Sequence, residues 1–277
     1  GEIVSPVQAS CPACGAPVVF NVDTSIVAIC EYCNSALARK DRKLEGLGKV
    51  ADLTETDSPL DIGLRGVYQN IPFEITGRAQ LGHQAGGVWD EWYAAFADGR
   101  WGWIAEAQGR FYVTFPSNNI SPQQIPNFEQ LILGQNVSFP STAPLMVAEK
   151  GVATALSAKG EIPYRFQPKS QYYYGDLSGQ QGLFATIDYS ELPPLVFIGR
   201  EVPLSAFGFP PGMVKEKELR QVSALQLTCP HCSGPLTLQV PDKAERVTCP
   251  NCGSFLDVNH GKLQYLNLPK LQPLTPI

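Results

Sequence analysis

Eight cysteines carry the clearest chemistry in this sequence, because all of them fall into C-x2-C pairs. Two residues between the thiols let one tight turn aim both sulfurs at the same ion. Fifteen residues separate the first two pairs and sixteen separate the last two, which is the spacing of a four-thiolate zinc site. The two expected ligand sets are Cys11, Cys14, Cys30 and Cys33, and Cys229, Cys232, Cys249 and Cys252.

Other uses of paired cysteines fit this sequence less well. A redox dithiol needs only one such pair, typically before a helix that joins two strands, and the sequence offers no such setting. Four uniform pairs also fit a metal better than the disulfides of a secreted protein. Each set supplies four thiolates and leaves no position for water or substrate. We therefore expect two structural zinc ions that provide folding energy to small hairpins.

A second group of chemically active side chains lies in the tryptophan-rich stretch 86–115. Carboxylates and ring faces there could hold a small cation. The candidate ligand surface consists of Trp89, Asp90, Glu91, Trp92, Tyr93 and Glu106. Further acids that could take part are Asp176, Asp188 and Glu191. The competing interpretation is that the rings form core and that the acids pair at turns with Arg100, Arg110 and Arg200.

These acids have no accompanying nucleophile, phosphate-binding loop or glycosidase pattern in the sequence. We therefore assign no catalytic residue and no cofactor other than zinc. The sequence favours a protein that is not an enzyme.

Charge and hydropathy narrow the range of partners. The 277 residues include 21 Lys and Arg against 26 Asp and Glu, which gives a formal net charge of −5. Nucleic-acid affinity depends largely on cations that neutralise phosphates, so nucleic acid is a disfavoured partner. No apolar run reaches the roughly 18 residues of a membrane span, and the N-terminus lacks the pattern of a secretory signal. We expect a soluble, cytoplasmic protein.

Short strands and glycine-containing turns must position these groups. The composition, with 25 Gly, 24 Pro and few charged residues, favours an all-β protein. The pattern predicts successive strands at 88–97, 100–106 and 110–115, joined by tight turns into an antiparallel meander. Residues 182–185 are similar to residues 102–105, which favours a second meander unless this short likeness is coincidental.

The expected architecture therefore has three parts. An N-terminal zinc ribbon and linker occupy residues 1–57, and a C-terminal zinc ribbon occupies residues 213–277. Between them, residues 58–212 form a central antiparallel β domain, either a sandwich or a barrel, with two similar meanders.

Several long segments resemble the domain-of-unknown-function 4178 family of bacterial proteins. They lie within about residues 10–205 and include CPACGAPVVF, WDEWYAAFADGRWGWIAEAQGRFYVTF and YYYGDLSGQQGLFATIDYSELPPLVFIGREV. The resemblance implies a β-rich cytoplasmic protein without an established enzymatic activity and without agreed catalytic residues. It also implies genomic association with polyamine-synthesis and membrane-associated genes, which suits an acidic and aromatic surface.

Together these features favour a non-enzymatic zinc protein that acts as an adaptor or scaffold and binds another protein. One alternative is that the central domain binds a small cation such as a polyamine. A second alternative is nucleic-acid binding through the zinc ribbons, although the acidic charge disfavours it.

Overall fold

Strands make up most of the computed structural model of this protein, as its many β-branched and aromatic residues favour. The structure describes residues 7–40, 43–54, 56–107 and 109–214, and beyond them 227–229, 232–233, 235–236, 245–249, 251–252, 255–259 and 262–267. The chain divides into two compact units, Gly1–Lys215 and Glu216–Ile277. The predicted all-β class is confirmed.

The described part of the first unit contains fifteen strands. They are β1 (Val7–Ser10), β2 (Pro17–Phe20), β3 (Val27–Ile29), β4 (Ser35–Lys40), β5 (Lys43–Lys49), β6 (Arg65–Tyr68), β7 (Ile71–His83), β8 (Val88–Phe96), β9 (Trp101–Ala107), β10 (Arg110–Pro116), β11 (Asn136–Val137), β12 (Leu145–Ile162), β13 (Gln171–Gly179), β14 (Leu183–Asp188) and β15 (Leu195–Val202). Short 3-10 helices lie at Pro122–Gln124, Phe128–Gln130, Gln180–Gly182 and Leu204–Phe207.

Eight of these strands close into an antiparallel barrel. Their order is β7, β8, β9, β10, β15, β14, β13 and β12, and β12 pairs in turn with β7. Closure depends on pairing between distant parts of the chain, since Ala155 of β12 lies opposite Leu81 of β7. The expected central antiparallel domain is therefore a barrel.

The barrel consists of two four-stranded meanders, β7 to β10 and β12 to β15. The three strands predicted between residues 88 and 115 are confirmed as β8, β9 and β10. Residues 102–105 lie in β9, and residues 183–185 begin β14. The two similar sequence segments thus belong to the third strand of each meander.

Rings that meet across the barrel identify its interior. Trp89 on β8 contacts Tyr174 on β13 with ring centroids 5.6 Å apart, although these strands are not neighbours in the sheet. Every second residue of β8 after Trp89 lies on the same face. Trp103 is the cross-strand partner of Tyr93 and packs edge to face on Phe197 at 4.9 Å. The interior of the barrel is therefore rich in aromatic rings.

The first ribbon continues the sheet of the barrel. Strands β5, β4 and β3 pair in that order, and β3 pairs with the last residues of β12. The pairs that join them are Ala28 with Glu161 and Val27 with Ile162. Strands β1 and β2 form a separate hairpin. The predicted ribbon therefore lies in the same compact unit as the barrel, and its predicted boundary at residue 57 stays a prediction.

The second unit repeats the strand arrangement of the first ribbon in its described residues. Its strands are β16 (Leu227–Thr228), β17 (Pro235–Leu236), β18 (Glu245–Thr248), β19 (Phe255–Asn259) and β20 (Lys262–Asn267). A two-stranded hairpin, β16 and β17, precedes an antiparallel sheet of β18, β19 and β20.

Nowhere in the described ranges does the chain form a helix with the length and apolar character of a membrane span.

Candidate functional site

Tight turns bring four thiols together in the first ribbon. Cys11 and Cys14 lie in the turn between β1 and β2, and Cys30 and Cys33 lie in the turn between β3 and β4. In each turn, the backbone N–H four residues after the first cysteine donates to that cysteine's carbonyl, at 2.8 and 2.9 Å. This hydrogen bond curls the backbone so that both thiols of a pair face the same point.

The distances between the sulfurs match a tetrahedral metal site. Cys11 Sγ lies 3.7 Å from Cys33 Sγ, and Cys14 Sγ lies 3.7 Å from Cys30 Sγ. All four sulfurs lie within 4.8 Å of one another. A tetrahedral ion with metal–sulfur bonds of about 2.3 Å places its sulfurs about 3.8 Å apart. The donor set therefore fits a metal ion.

The second cluster has the same geometry. Cys229 and Cys252 sulfurs are 3.7 Å apart, as are those of Cys232 and Cys249. Each cluster could bind a metal ion. Four protein thiolates fill a tetrahedral shell, so an ion held there has no open position for water or substrate. A metal in either cluster would support the fold of its ribbon and would not perform catalysis.

Strand alternation divides the predicted ligand surface into two sets. The inner set is Trp89, Glu91 and Tyr93, and the outer set is Asp90, Trp92 and Glu106. The structure therefore does not bring the six predicted residues into one site. The two sets lie on opposite faces of β8 and β9.

The outer acid Asp90 is part of an ion pair on the outside of the barrel. Arg78 donates to both carboxylate oxygens of Asp90 at 3.0 Å, and its guanidinium lies 4.8 Å from the Trp92 ring centroid. The pair is little exposed, with 15% of the Arg78 side chain and 4% of the Asp90 side chain accessible to solvent. These contacts assign Asp90 to the packing of the fold.

Residues 51–54 and 56–58, which we call the strap, cover this outer set. Thr56 donates its hydroxyl to Asp90 at 2.7 Å, and the Ser58 hydroxyl donates to Glu106. Glu106 also accepts a hydrogen bond from Trp92 Nε1 at 3.2 Å. Asp90 and Glu106 of the outer set therefore hold the strap, which connects the ribbon to the barrel, against the barrel surface.

The arginines expected to pair with these acids have other partners. Arg100 pairs with Asp98 at 2.7 Å, and Arg110 pairs with Glu201 at 2.9 Å. Asp90 instead pairs with Arg78, which lies diagonally across the strand pair, whereas Gln80 is the residue directly opposite Asp90. The competing interpretation, in which the acids pair with turn arginines, therefore does not hold for Asp90.

Glu91 is a buried carboxyl group, 3% exposed, inside the barrel. Tyr93 donates its hydroxyl to Glu91 Oε2 at 2.8 Å, and Trp89 Nε1 donates to Oε1 at 3.2 Å. The Tyr164 hydroxyl lies 2.6 Å from that of Tyr93. When Tyr93 donates to Glu91, Tyr164 donates to Tyr93. Glu91 forms no ion pair with a cationic side chain in the part of the chain that the structure describes.

Burial raises the pKa of Glu91 to about 8, because the carboxylate loses its hydration inside the barrel. The hydrogen bonds from Tyr93 and Trp89 act in the opposite direction, and the carboxylates of Asp188 and Asp176 raise the pKa further. Burial also raises the pKa of Asp188. Near neutral pH, Glu91 therefore holds a proton that a cation beside it would displace.

A small pocket lies beside Glu91. Its acids are Glu91, Asp188 and Glu191, and its rings are Tyr93, Trp101, Trp103, Tyr164 and Phe197. Arg165 also lines the pocket, but its guanidinium pairs with Glu45 at 3.3 Å. Carboxylates beside aromatic ring faces form an environment that attracts a small organic cation.

Sequence reasoning missed most of the rings that line this pocket. The short turn at residues 98–99 sets Trp103 opposite Tyr93, so the hairpin register could have identified Trp103. No local sequence signal points to Tyr164. It lies two residues after the end of β12, and it contacts Tyr93 only because the barrel closes.

Comparison of the chain with protein-family models, with curated proteins and with solved structures found no match. The resemblance to the domain-of-unknown-function 4178 family stays a prediction.

Proposed function

We propose that this protein is a zinc-stabilised binding protein whose barrel takes up a small organic cation, such as one ammonium group of a polyamine. The observation that carries this proposal is Glu91, a buried carboxyl group beside an aromatic pocket with no cationic partner in the described chain. A protonated amine would displace the proton of Glu91 and lie against the ring faces.

The charge around the pocket supports a cationic ligand over an anionic one. Asp188 and Glu191 add two acids to Glu91, whereas Arg165 is engaged by Glu45. The small volume of the pocket supports a slim primary ammonium group over a bulky ring system.

For the two cysteine clusters we propose zinc as the metal. Tetrahedral coordination by four thiolates suits Zn²⁺, and such sites in small hairpins supply the folding energy that a small core does not. The buried core around the first cluster supports this role. It is Cys11, Val18, Phe20, Ala28, Cys30 and Leu37.

Calorimetric titration with putrescine and butanediol tests the cation proposal. These molecules have similar length, but only putrescine is charged. We expect putrescine to bind with a dissociation constant below about 1 mM, and we expect butanediol to give no binding heat. Glu91→Gln should weaken putrescine binding at least tenfold. The matched control Glu74→Gln changes an exposed acid outside the pocket and should leave the affinity unchanged. Equal heats for putrescine and butanediol would remove the proposal.

An adaptor role is the second candidate, and one exposed ring favours it. Tyr32 lies between Cys30 and Cys33 and is 73% exposed, so a metal-braced turn presents an aromatic side chain to solvent. Aromatic residues on rigid turns often anchor protein partners. Affinity capture from the native cell should recover a partner that Tyr32→Ser loses and that Val67→Ser, a change at another exposed apolar residue, retains. Identical captured sets would argue against this role.

A further inference from the structure

The wall of the cation pocket begins where the barrel meets the first ribbon. β12 ends at Ile162, and the next residues include Tyr164 and Arg165 of the pocket. The last two residues of β12 pair with β3, and Ile26 donates its backbone N–H to the Ile162 carbonyl at 2.9 Å. β3 ends one residue before Cys30. Paired backbone segments a few residues long therefore connect Cys30, a candidate metal ligand, to the pocket wall.

A carboxylate binds the loop between β2 and β3 of the ribbon to this end of β12. Glu161 accepts hydrogen bonds from the backbone N–H groups of Asn21 and Val22 at 2.8 and 3.1 Å. Asn21 Nδ2 donates to its second oxygen at 3.1 Å. Glu161 is only 8% exposed, so these charge-assisted bonds are poorly replaced by water. The loop between β2 and β3, which connects the two cysteine pairs, therefore holds the end of β12.

The segment after β12 is held by the ribbon on its other side. Arg165 pairs with Glu45 of β5 at 3.3 Å, and Gln167 Nε2 donates to the Leu47 carbonyl at 2.9 Å. Apolar packing follows the same path. One buried cluster contains ribbon and barrel residues together, among them Val27, Ile29, Leu47, Tyr93, Phe166 and Phe197. The ribbon sheet is thus part of the packing that shapes the pocket.

The part of the ribbon around the thiols has little apolar packing of its own to keep it folded without metal. The cluster around its thiols has six buried residues, and two of them are the thiol-bearing Cys11 and Cys30. Small four-thiolate ribbons generally depend on the metal for folding. Loss of the metal would therefore release the loop between β2 and β3 that holds Glu161, and with it the pocket wall that carries Tyr164.

We propose that a metal ion in the first cysteine cluster holds the pocket wall at residues 161–167 in place, so that metal and pocket ligand bind cooperatively. The ligand half of this proposal rests on the proposed function. Because binding linkage is reciprocal, the pocket ligand should also slow the loss of metal from this cluster.

Hydrogen exchange tests the proposal without any ligand. Cys14→Ser removes one thiol of the first cluster, and we expect backbone exchange over residues 159–167 to accelerate at least tenfold. Exchange in β10, whose buried Phe111 and Val113 pack in a core cluster without ribbon residues, should stay within twofold. If Cys14→Ser fails to fold, two other samples replace it. These are wild-type protein with metal removed by a chelator, and Glu161→Gln, which keeps the side-chain size and loses its charge. Unchanged exchange over 159–167 in these samples would overturn the proposal.

Putrescine affinity tests the coupling to the pocket. We expect the dissociation constant to rise at least tenfold in Cys14→Ser and in Glu161→Gln, with no change in Glu74→Gln. Equal affinity in metal-loaded and metal-depleted protein would overturn the coupling and leave the proposed function standing. Absence of putrescine binding to metal-loaded wild type would contradict the proposed function, while the exchange experiment would still decide whether the metal holds the wall.

Discussion

The hydroxyl oxygens of Tyr93 and Tyr164 lie 2.6 Å apart. This contact joins β8, in the first meander, to the segment that follows β12, in the second. Tyr93 in turn donates a hydrogen bond to Glu91. The hydrogen-bonded environment of Glu91 therefore depends on the position of the segment after β12, which the ribbon holds. The pocket is therefore built from the barrel and from a segment that contacts the first ribbon.

Removing the charge of Asp90 should destabilise the barrel without changing the pocket. In Asp90→Asn, the little-exposed Arg78 loses its ionic partner, and breaking one side of such a pair costs about 3–5 kcal/mol. Urea unfolding of the two proteins measures this loss. As a control, Glu74→Gln breaks the exposed pair with Arg65 and should cost under about 1 kcal/mol. Equal losses of unfolding free energy in the two variants would show that the Arg78–Asp90 pair stabilises the fold no more than an exposed pair does.

The pKa of Glu91 predicts a specific pH dependence of stability. Its folded-state pKa of about 8 lies above the unfolded value of about 4.3, so between these pH values the folded state keeps a proton that the unfolded state has lost. Stability from this group is therefore fully present below about pH 4 and is lost as the pH rises towards 8, by up to about 1.4 kcal/mol per pH unit.

Glu91→Gln removes this dependence while other titrating groups remain. The difference in unfolding free energy between wild type and variant should therefore fall steadily from about pH 5 to about pH 8. Urea unfolding at several pH values in this range gives the difference directly. Parallel curves for the two proteins would contradict the raised pKa.

Metal content should follow the two cysteine clusters. We expect elemental analysis to find two zinc ions per wild-type chain and one in Cys30→Ser, because three thiolates and water hold zinc less tightly than four thiolates. Cys249→Ser should likewise lose one ion. A wild-type chain with one zinc ion or none would contradict the prediction that each set of four cysteines binds one zinc ion.

Barrel closure between β10 and β15 should be sensitive to a single methyl group. A Cβ atom on Gly199 would lie 1.7 Å from the backbone oxygen of Val113, so Gly199→Ala must separate the two strands. We expect this variant to be strongly destabilised or insoluble. Gly46→Ala is the control, since its Cβ would lie no closer than 4.0 Å to any atom of another element. Similar thermal midpoints for both variants would show that closure tolerates the change.

Local sequence patterns were sufficient for the ribbons and for one meander. The cysteine spacing and the turn at residues 98–99 depend only on neighbouring residues, so their structural meaning is visible without knowledge of the fold. The closure of the barrel is different. It depends on β12 pairing with β7, β13 and β3 along its length, and no local pattern specifies three partners for one strand.

The local sequence also could not predict which residues of the acidic and aromatic stretch on β8 face the barrel interior. Asp90 and Glu91 are adjacent, and strand alternation must send one outward and the other inward. Which one faces the interior is determined by register, and a bulge between Ile75 and Gly77 shifts the register of β7 against β8. The partners Arg78 and Tyr164 identify the two faces only once the barrel is closed.

Proton release on ligand binding tests the central claim most directly. Putrescine is titrated into wild-type protein near pH 7 in two buffers that differ in ionisation enthalpy. Since a cation beside Glu91 displaces its proton, we predict that binding releases close to one proton in wild type and almost none in Glu91→Gln. Binding heats that do not depend on the buffer, or an unchanged proton count in the variant, would contradict the assignment of Glu91 as the cation-binding group.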